Sequence, residues 1–475
     1  MPSKKTRKKL KPRIAMPEQP ASERVANFSE VNLGYTPEQA REEARRCLQC
    51  KTPTCQQGCP VEVDCKGFIH CIAQDDLEGA FRVLKKTNSL PAVCGRVCPQ
   101  ENQCEGSCKL RPTGEPIAIG RLERWAADNF YASDACQALL GKDECAMLRD
   151  DLKVAAIGSG PASLTLAGYL TARGIPVTVF EALHEPGGVL VYGIPEFRLP
   201  KSIVTTEVET VKAQGAEFRL NWVGGTTIEI PELFEQGYKA VFIGVGAGLP
   251  KFLNIPGENL IGVFSANEYL TRVNLMRAYR FPEVDTPSYQ GRQVVVLGGG
   301  NVAMDSARTA LRMGAERVSI VYRRTQGEMP ARKEELEHAL EEGVQLEILA
   351  SPITFVGDEK GRLRRLRLQR MELGDPDESG RRRPQPIEGD VYELETDMAV
   401  IAVGTTPNPV LLQGTPQLRL NKRGYIDADP ETLETSMDMV FAGGDIVTGS
   451  ATVVQAMGAG RRAAKVIAER LLKAG

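Results

Sequence analysis

The 475-residue sequence predicts an α/β protein in which a helical N-terminal domain precedes two Rossmann-like nucleotide-binding domains, the second inserted in the first. Three observations carry that prediction. The order strand, glycine-rich turn, helix, strand occurs over residues 153–181 and again over 293–322. A strand ending in glycines and a carboxylate, Met439-Val-Phe-Ala-Gly443-Gly-Asp445, returns near the C-terminus and would complete the first of these units. All twelve cysteines lie between Cys47 and Cys145, which sets the front of the chain apart. The expected domains are 1–150, then a discontinuous 151–287 with 405–475, and 288–404 between its halves.

In the first unit the apolar run 152–157 leads into Gly158-Ser-Gly160-Pro-Ala-Ser163, a helical pattern over 164–173 and a β-branched, aromatic strand at 177–180. Gly158 permits the tight turn, Gly160 lets backbone N–H groups approach a pyrophosphate, and Ser163 is small enough for close helix–strand packing. Glu181 stands where a carboxylate grips a ribose diol. The glycine- and proline-rich loops 186–188 and 193–200 are expected to wall a ligand, and the buried strand at 240–246 to end facing it. Asp445, ahead of a helix expected over 451–472, would bond a polyol chain.

The second unit repeats the pattern: strand 294–297, turn Gly298-Gly-Gly300-Asn301-Val-Ala303, helix 304–313, strand 318–322. Its second strand runs into Arg323-Arg324 where the first unit has Glu181. A carboxylate there suits a free 2′-hydroxyl and arginine forks suit a 2′-phosphate, so this cradle is expected to take NADPH, with Arg332 assisting. The alternative is that these arginines are solvated loop charges. Residues 398–403 form another buried strand.

The cysteines fall into two groups, Cys47-x2-Cys50-x4-Cys55-x3-Cys59-Pro and Cys94-x3-Cys98-Pro-x4-Cys104-x3-Cys108. Dense thiols in short loops, with proline after a cysteine, point to iron–sulfur clusters, two of the four-iron type. A pair of zinc sites is the alternative. Cys65, Cys71, Cys136 and Cys145 lack this spacing and are given no role. Thr36-Pro37-Glu38-Gln39 reads as a capped helix start leading to Cys47 and Cys50. Phe68, Ile69, Ile72, Leu77, Ala80, Phe81 and Leu84 recur at helical spacing, and a helix over 119–130 carries Glu123. His70 and His338 have no motif around them and are expected to be structural.

A formal net charge of −2, with 42% hydrophobic and 25% charged residues, gives no overall field for nucleic acid or membrane. No apolar run approaches the ~20 residues of a spanning helix. Seven Lys or Arg crowd residues 4–13 without an apolar stretch to follow, which reads as a solubilising tail. A cytoplasmic location is expected.

Cys-Leu-Gln-Cys, Cys-Gly-Arg-Val-Cys-Pro, Pro-Ile-Ala-Ile-Gly-Arg-Leu-Glu, Gly-Ile-Pro-Glu-Phe-Arg-Leu-Pro, Val-Tyr-Arg-Arg-Thr and Ala-Gly-Gly-Asp together resemble the small subunit of NADPH-dependent glutamate synthase. The likeness covers nearly the whole chain. It extends to the large subunit of NADH-dependent ferredoxin:NADP oxidoreductase and the N-terminal half of dihydropyrimidine dehydrogenase. The resemblance implies FAD in the cradle of Gly158, Gly160, Ser163, Glu181 and Gly188, with Asp445 at the ribityl chain, and NADPH at Gly298, Gly300, Asn301, Arg323 and Arg324. Hydride would pass between the cofactors with no catalytic side chain. The FAD domain has no cysteine pair, which argues against disulfide reductases.

The resemblance also implies crossed cluster ligation. One cluster would take Cys47, Cys50, Cys55 and Cys108, and the other Cys59, Cys98, Cys104 and Glu123, leaving Cys94 a bystander. Glutamate synthesis further needs a glutaminase and a flavin barrel of about 250 residues, for which the chain has no room. Met1-Pro2 also lacks the N-terminal cysteine of such glutaminases. The expected partner is therefore the glutamate synthase large subunit. The stretch Cys94-Gly-Arg-Val-Cys98-Pro-Gln-Glu-Asn-Gln-Cys104 looks more like that of the bifurcating transhydrogenase, which implies, as the alternative, the ferredoxin:NADP oxidoreductase small subunit as partner. A non-catalytic NADPH sensor holding zinc is the reading from another class.

Overall fold

The computed structural model describes residues 11–113, 115–133, 148–376 and 380–473. Cys136, Cys145 and residues 4–10 of the basic stretch lie outside them. Arg13, the last charge of that stretch, is not the solvated tail residue expected, because its Nη1 pairs with the buried Glu105 at 2.8 Å.

The front domain is built from short helices, among them Pro37–Ala44, Cys65–Ala73, Leu77–Lys85, Pro91–Val97 and Ile119–Tyr131. Thr36 and Gln39 exchange side-chain and backbone hydrogen bonds in a capping box, which fixes where the first helix starts. The apolar repeat of residues 68–84 is two helices rather than one. Asp64 caps the first at Gly67 and Asp76 caps the second at Gly79. Phe68, Ile69, Ile72, Leu84 and Leu122 are fully buried and share one core with Leu190, Val204, Val208 and Met457 of the next domain.

The strands are β1 (Val154–Ile157), β2 (Val177–Glu181), β3 (Ala216–Leu220), β4 (Ala240–Ile243), β5 (Val263–Ser265), β6 (Gln293–Leu297), β7 (Arg317–Tyr322), β8 (Gln345–Ile348), β9 (Ala350–Gly357), β10 (Leu363–Pro376), β11 (Arg382–Glu395), β12 (Met398–Ile401) and β13 (Val440–Ala442). A first parallel sheet has the order β13-β4-β1-β2-β3 and a second the order β5-β12-β6-β7-β8. In each, the chain order reverses beside the strand that precedes the glycine turn. A crevice therefore opens there at the carboxyl ends. β1 and β4 are buried throughout, as helix-covered parallel strands must be.

The second sheet starts earlier in the chain than the expected 288, since β5 pairs with β12. Leu249–Pro250 and Thr405–Thr406 pair antiparallel, so the two crossings between the sheets run side by side. A three-residue edge strand carries too little periodicity to be read from sequence. β9, β10 and β11 form an antiparallel meander that the sequence reading left without strands. Its charged residues face solvent, and only Phe355, Leu363, Leu366 and Leu368 reach a core.

The loop 193–200, expected to wall a ligand, also locks the two nucleotide units together. Arg198 Nη1 donates to both Asp305 oxygens at 2.7 Å, and its Nε pairs with Glu335 at 2.9 Å. Phe197 lies under the guanidinium groups of Arg312 and Arg308, 3.9 and 4.8 Å from its ring centre. Glu342 takes Arg308 at 2.8 Å, Arg312 at 2.6 Å and Arg24 at 2.9 Å. Burial opposes ionisation of both glutamates, but Arg198 and Arg308 hold Glu335 at about 2, and Arg312 with Arg308 holds Glu342 at about 2, against 4.5 ordinarily. Each folded-state value lies below the unfolded one. The stability they contribute is therefore complete above pH 4.5 and is lost as pH falls towards 2. Its size is on the order of 3 kcal/mol per carboxylate. Glu342→Gln should flatten the acid limb of a plot of urea midpoint against pH, and an unaltered limb would refute this origin.

Candidate cofactor sites

The first crevice gathers three glycine-bearing strand ends. β1 leads to Gly158, β4 to Gly244 and β13 to Gly443-Gly444-Asp445, and the three strands are neighbours in the sheet. Gly158 has φ +92°, and Gly160 caps the helix Pro161–Thr171. Ser163 packs so close to β4 that a Cβ on Gly244 would fall 2.2 Å from its Oγ. Its buried hydroxyl has no hydrogen-bond partner among the described residues. Gly188 lies alongside, its Cβ position 3.0 Å from the Gly160 Cα. The buried Glu181 accepts from the Ser159 N–H and the Leu183 N–H, both at 2.8 Å, which fixes the carboxylate beside the turn. Burial pushes Asp445 up to about 6, and its Oδ1 accepts from the Ala451 N–H at 3.2 Å.

Sequence reasoning missed Tyr192. Its buried hydroxyl feels both Asp445 and Glu181 and is pushed up to about 12, burial being the main cause. A lone tyrosine in a glycine-rich loop gives no periodic signal.

In the second crevice Gly300 caps the helix Asn301–Arg312, and a side chain added there would meet open space. Asn301 Oδ1 accepts from the Arg332 N–H at 2.9 Å, bracing the turn. Arg323 is exposed at the end of β7. Arg324 is buried, and its Nε donates to the Arg382 carbonyl at 2.8 Å, so part of its fork serves the fold. Arg332, expected to assist with its side chain, braces the turn through its backbone N–H. Its guanidinium turns to the front domain, donating to the Arg96 carbonyl at 2.9 Å, to Gln100 at 3.2 Å and to Glu334 at 2.8 Å.

The two cysteine loops are pressed together. Thr54 Oγ1 donates to the Ser107 carbonyl at 2.6 Å, and a Cβ on Gly58 would fall 2.8 Å from the Gln103 carbonyl oxygen. Cys47, Cys50, Cys55 and Cys108 consequently line one cavity. Helices Pro91–Val97 and Ile119–Tyr131 cross as closely, since a Cβ on Gly95 would sit 2.6 Å from the Arg124 nitrogen. That crossing sets Glu123 among the thiols of Cys59, Cys94, Cys98 and Cys104. Burial drives Cys59 up to about 11 and Glu123 up to about 8, and it raises Cys104 as well. Asn88 Nδ2 orients Glu123 Oε1 at 2.7 Å. Cys65, which had no expected role, lies beside Cys55 and near Cys59 and Cys104, between the two groups. His338, expected to be structural, has its Nε2 3.1 Å from Glu18.

Residues 24–135 match the family described as "Dihydroprymidine dehydrogenase domain II, 4Fe-4S cluster", and residues 152–460 match "Pyridine nucleotide-disulphide oxidoreductase". The glutamate synthase [NADPH] small chain of Halomonas elongata is 37% identical over 95% of this chain and 95% of its own length. The chain belongs to the glutamate synthase small-chain family. It is an NADPH-linked flavin and iron–sulfur oxidoreductase. The NADP(+)-dependent formate dehydrogenase subunit beta of Moorella thermoacetica is 39% identical over 88% of this chain and 60% of its own. Members of different complexes are thus equally similar. The fold also matches Mycobacterium tuberculosis FprA in complex with NADPH, with TM-score 0.55 and 24% identity over 68% of this chain and 84% of that one.

The cysteine sites of this small chain fit a group larger than one ion. Thiolates on a single tetrahedral zinc stand about 3.8 Å apart, given zinc–sulfur bonds of about 2.3 Å. Among the described residues no three cysteine sulfurs lie within 4.8 Å of one another. Buried thiols and a carboxyl that hold their protons are the metal-free form of a site whose cation displaces those protons. Cys94 stands apart in one respect. Its Sγ points to Met457 Sδ at 3.4 Å and to Asn88 Oδ1 at 3.7 Å. Glu123→Ala is expected to alter the electron paramagnetic resonance signal of one cluster while Cys94→Ala leaves both signals intact. The reverse result would restore an all-cysteine second site.

Proposed function

We propose that this chain draws electrons from NADPH at the second cradle and passes them, by way of FAD and two four-iron clusters, to a separate partner subunit, in the leading reading the glutamate synthase large subunit. One observation supports the order of the sites. The thiols of Cys59, Cys98 and Cys104 lie next to Cys94, which contacts Met457 in the helix Val453–Lys473 that follows Asp445. The cavity of Cys47, Cys50, Cys55 and Cys108 lies farther out, with Leu48 51% exposed at its rim. The sulfur sites therefore lead from the flavin cradle to the surface.

FAD held there would supply the means of taking the two electrons of one hydride and releasing them singly, and clusters held by the cysteines would supply one-electron transfer. The protein's own part is to hold and orient. Ser159 and Leu183 fix Glu181 for a ribose diol, Asp445 offers an acceptor to the ribityl chain, and Gly158, Gly160 and Gly188 keep the turn open to the pyrophosphate. Gly298, Gly300 and Asn301 do the same in the second cradle, and Arg323 with Arg324 favours NADPH over NADH. We place the protein in the cytoplasm, where NADPH is supplied and thiols stay reduced.

The resemblance of the stretch from Cys94 to Cys104 to the bifurcating transhydrogenase supports a second reading in which the partner is a ferredoxin:NADP oxidoreductase small subunit. Purification from native cells with identification of the copurifying chain decides between the two. The spectrum of that preparation tests the chemistry: flavin bands over a broad brown shoulder, both bleached by NADPH without air, support the enzyme. A colourless protein supports the zinc-holding sensor instead.

A further inference from the structure

We infer that Arg381, carried by the β10–β11 hairpin, is a specificity residue of the second cradle that completes with Arg323 the grip on the 2′-phosphate. The inference rests on the proposed assignment of that cradle to NADPH. The two units superpose residue by residue at the strand end that meets the ribose. The Gly158 N–H donates to the Phe180 carbonyl at 2.7 Å, and the Gly298 N–H donates to the Val321 carbonyl at 3.1 Å. Glu181 and Tyr322 therefore hold the same place. Where the first unit sets a carboxylate, which would repel a phosphate, the second sets a tyrosine with an arginine beside it.

Tyr322 is close to the glycine turn, since a Cβ on Gly299 would fall 2.7 Å from its ring. Its hydroxyl donates to the Glu328 carbonyl at 3.1 Å and accepts from Arg381 Nη2 at 3.1 Å; Arg381 also reaches the Glu328 carbonyl at 3.3 Å. A guanidinium from 59 positions later in the chain thus lies one side chain from the phosphate turn. The hairpin is built to reach this place. Its inner half supplies the core leucines Leu363, Leu366 and Leu368, whereas its outer half, where Met371 pairs with Pro386 and Pro376 with Arg382, adds none. That outer half is instead tied to the end of β7 by the bond from Arg324 Nε to the Arg382 carbonyl. Arginine forks match phosphate oxygens in geometry and charge, which makes Arg323, next to Tyr322 in the chain, and Arg381, bonded to the Tyr322 hydroxyl, a suitable pair.

The test measures direct binding of two probes to the holoenzyme by calorimetry: adenosine 2′,5′-bisphosphate and AMP, which lacks the 2′-phosphate. Arg381→Gln should weaken the bisphosphate about ten- to hundred-fold and leave AMP unchanged. Arg381→Lys, which keeps the charge but not the fork, should lose the preference only in part, and it serves should the glutamine variant fail to fold. A preference left intact in the Arg381 variants but reduced by Arg323→Gln overturns the inference while the NADPH assignment stands. Equal weakening of both probes would make Arg381 a mere pin for the hairpin and also overturns it. If the unmodified enzyme binds both probes alike, the assignment of the cradle itself falls.

Discussion

Gly160→Leu is expected to give a folded protein that retains its clusters and lacks flavin. The backbone there has φ −67°, ordinary for any residue, and a Cβ would meet nothing nearer than the Gly244 carbonyl oxygen at 3.8 Å. The fold therefore has no need of glycine at this place. What the space is kept for is the ligand, at a helix N-terminus whose N–H groups face a pyrophosphate. A side chain there costs at least two charge-assisted hydrogen bonds of about 1.5–3 kcal/mol each, or roughly a hundred- to ten-thousand-fold in flavin affinity. Gly158 is the contrasting control. With φ +92° and a Cβ position 2.7 Å from the Gly244 carbonyl, its substitution should unfold the domain as well. Absorbance of the purified variant, beside its thermal midpoint, reads both effects. A Gly160→Leu protein that keeps full flavin but loses NADPH binding would exchange the two cradle assignments.

The double variant Cys50→Ala with Cys108→Ala is expected to lose about half of its iron, leaving about four atoms of about eight per chain. These two residues come from different cysteine groups in the sequence. Ligation by consecutive groups would remove a thiolate from each cluster and strip nearly all the iron. The structure favours the crossed arrangement, because Thr54 and Gly58 hold the first loop against residues 103–107 and bring Cys108 into the cavity of Cys47, Cys50 and Cys55. Cys59→Ala with Cys104→Ala should remove the other half. Iron analysis of anaerobically purified protein decides the matter.

What could be read in the sequence is what neighbouring residues decide among themselves. The capping box at Thr36 and Gln39, both strand–turn–helix units and the glycines at 158, 160, 298 and 300 depend on local backbone geometry and on periodicities that a short window contains. The family resemblance supplied the crossed cysteine sets and Glu123 in the same stretch, but nothing in the spacing alone separates them from two consecutive groups. Some features failed for want of local signal. The edge strand β5 is three residues long, and the charged strands of the meander are mostly solvent-facing, so neither carries a usable pattern.

The rest was decided by contacts between residues far apart. Arg332 follows the second cradle closely in sequence, yet it turns to Arg96 and Gln100 because the front domain packs there. Arg198, in a loop expected to line a ligand, is held by Asp305 and Glu335 of the inserted domain. Cys108 joins the first three cysteines only because the loops around Gly58 and Ser107 have no room for a side chain between them, and Arg381 reaches Tyr322 only because Arg324 ties the hairpin down. A sequence records which residues can bind a phosphate or a metal. Which of them share a site depends on close approach of separate segments, and that is set by packing over the whole chain.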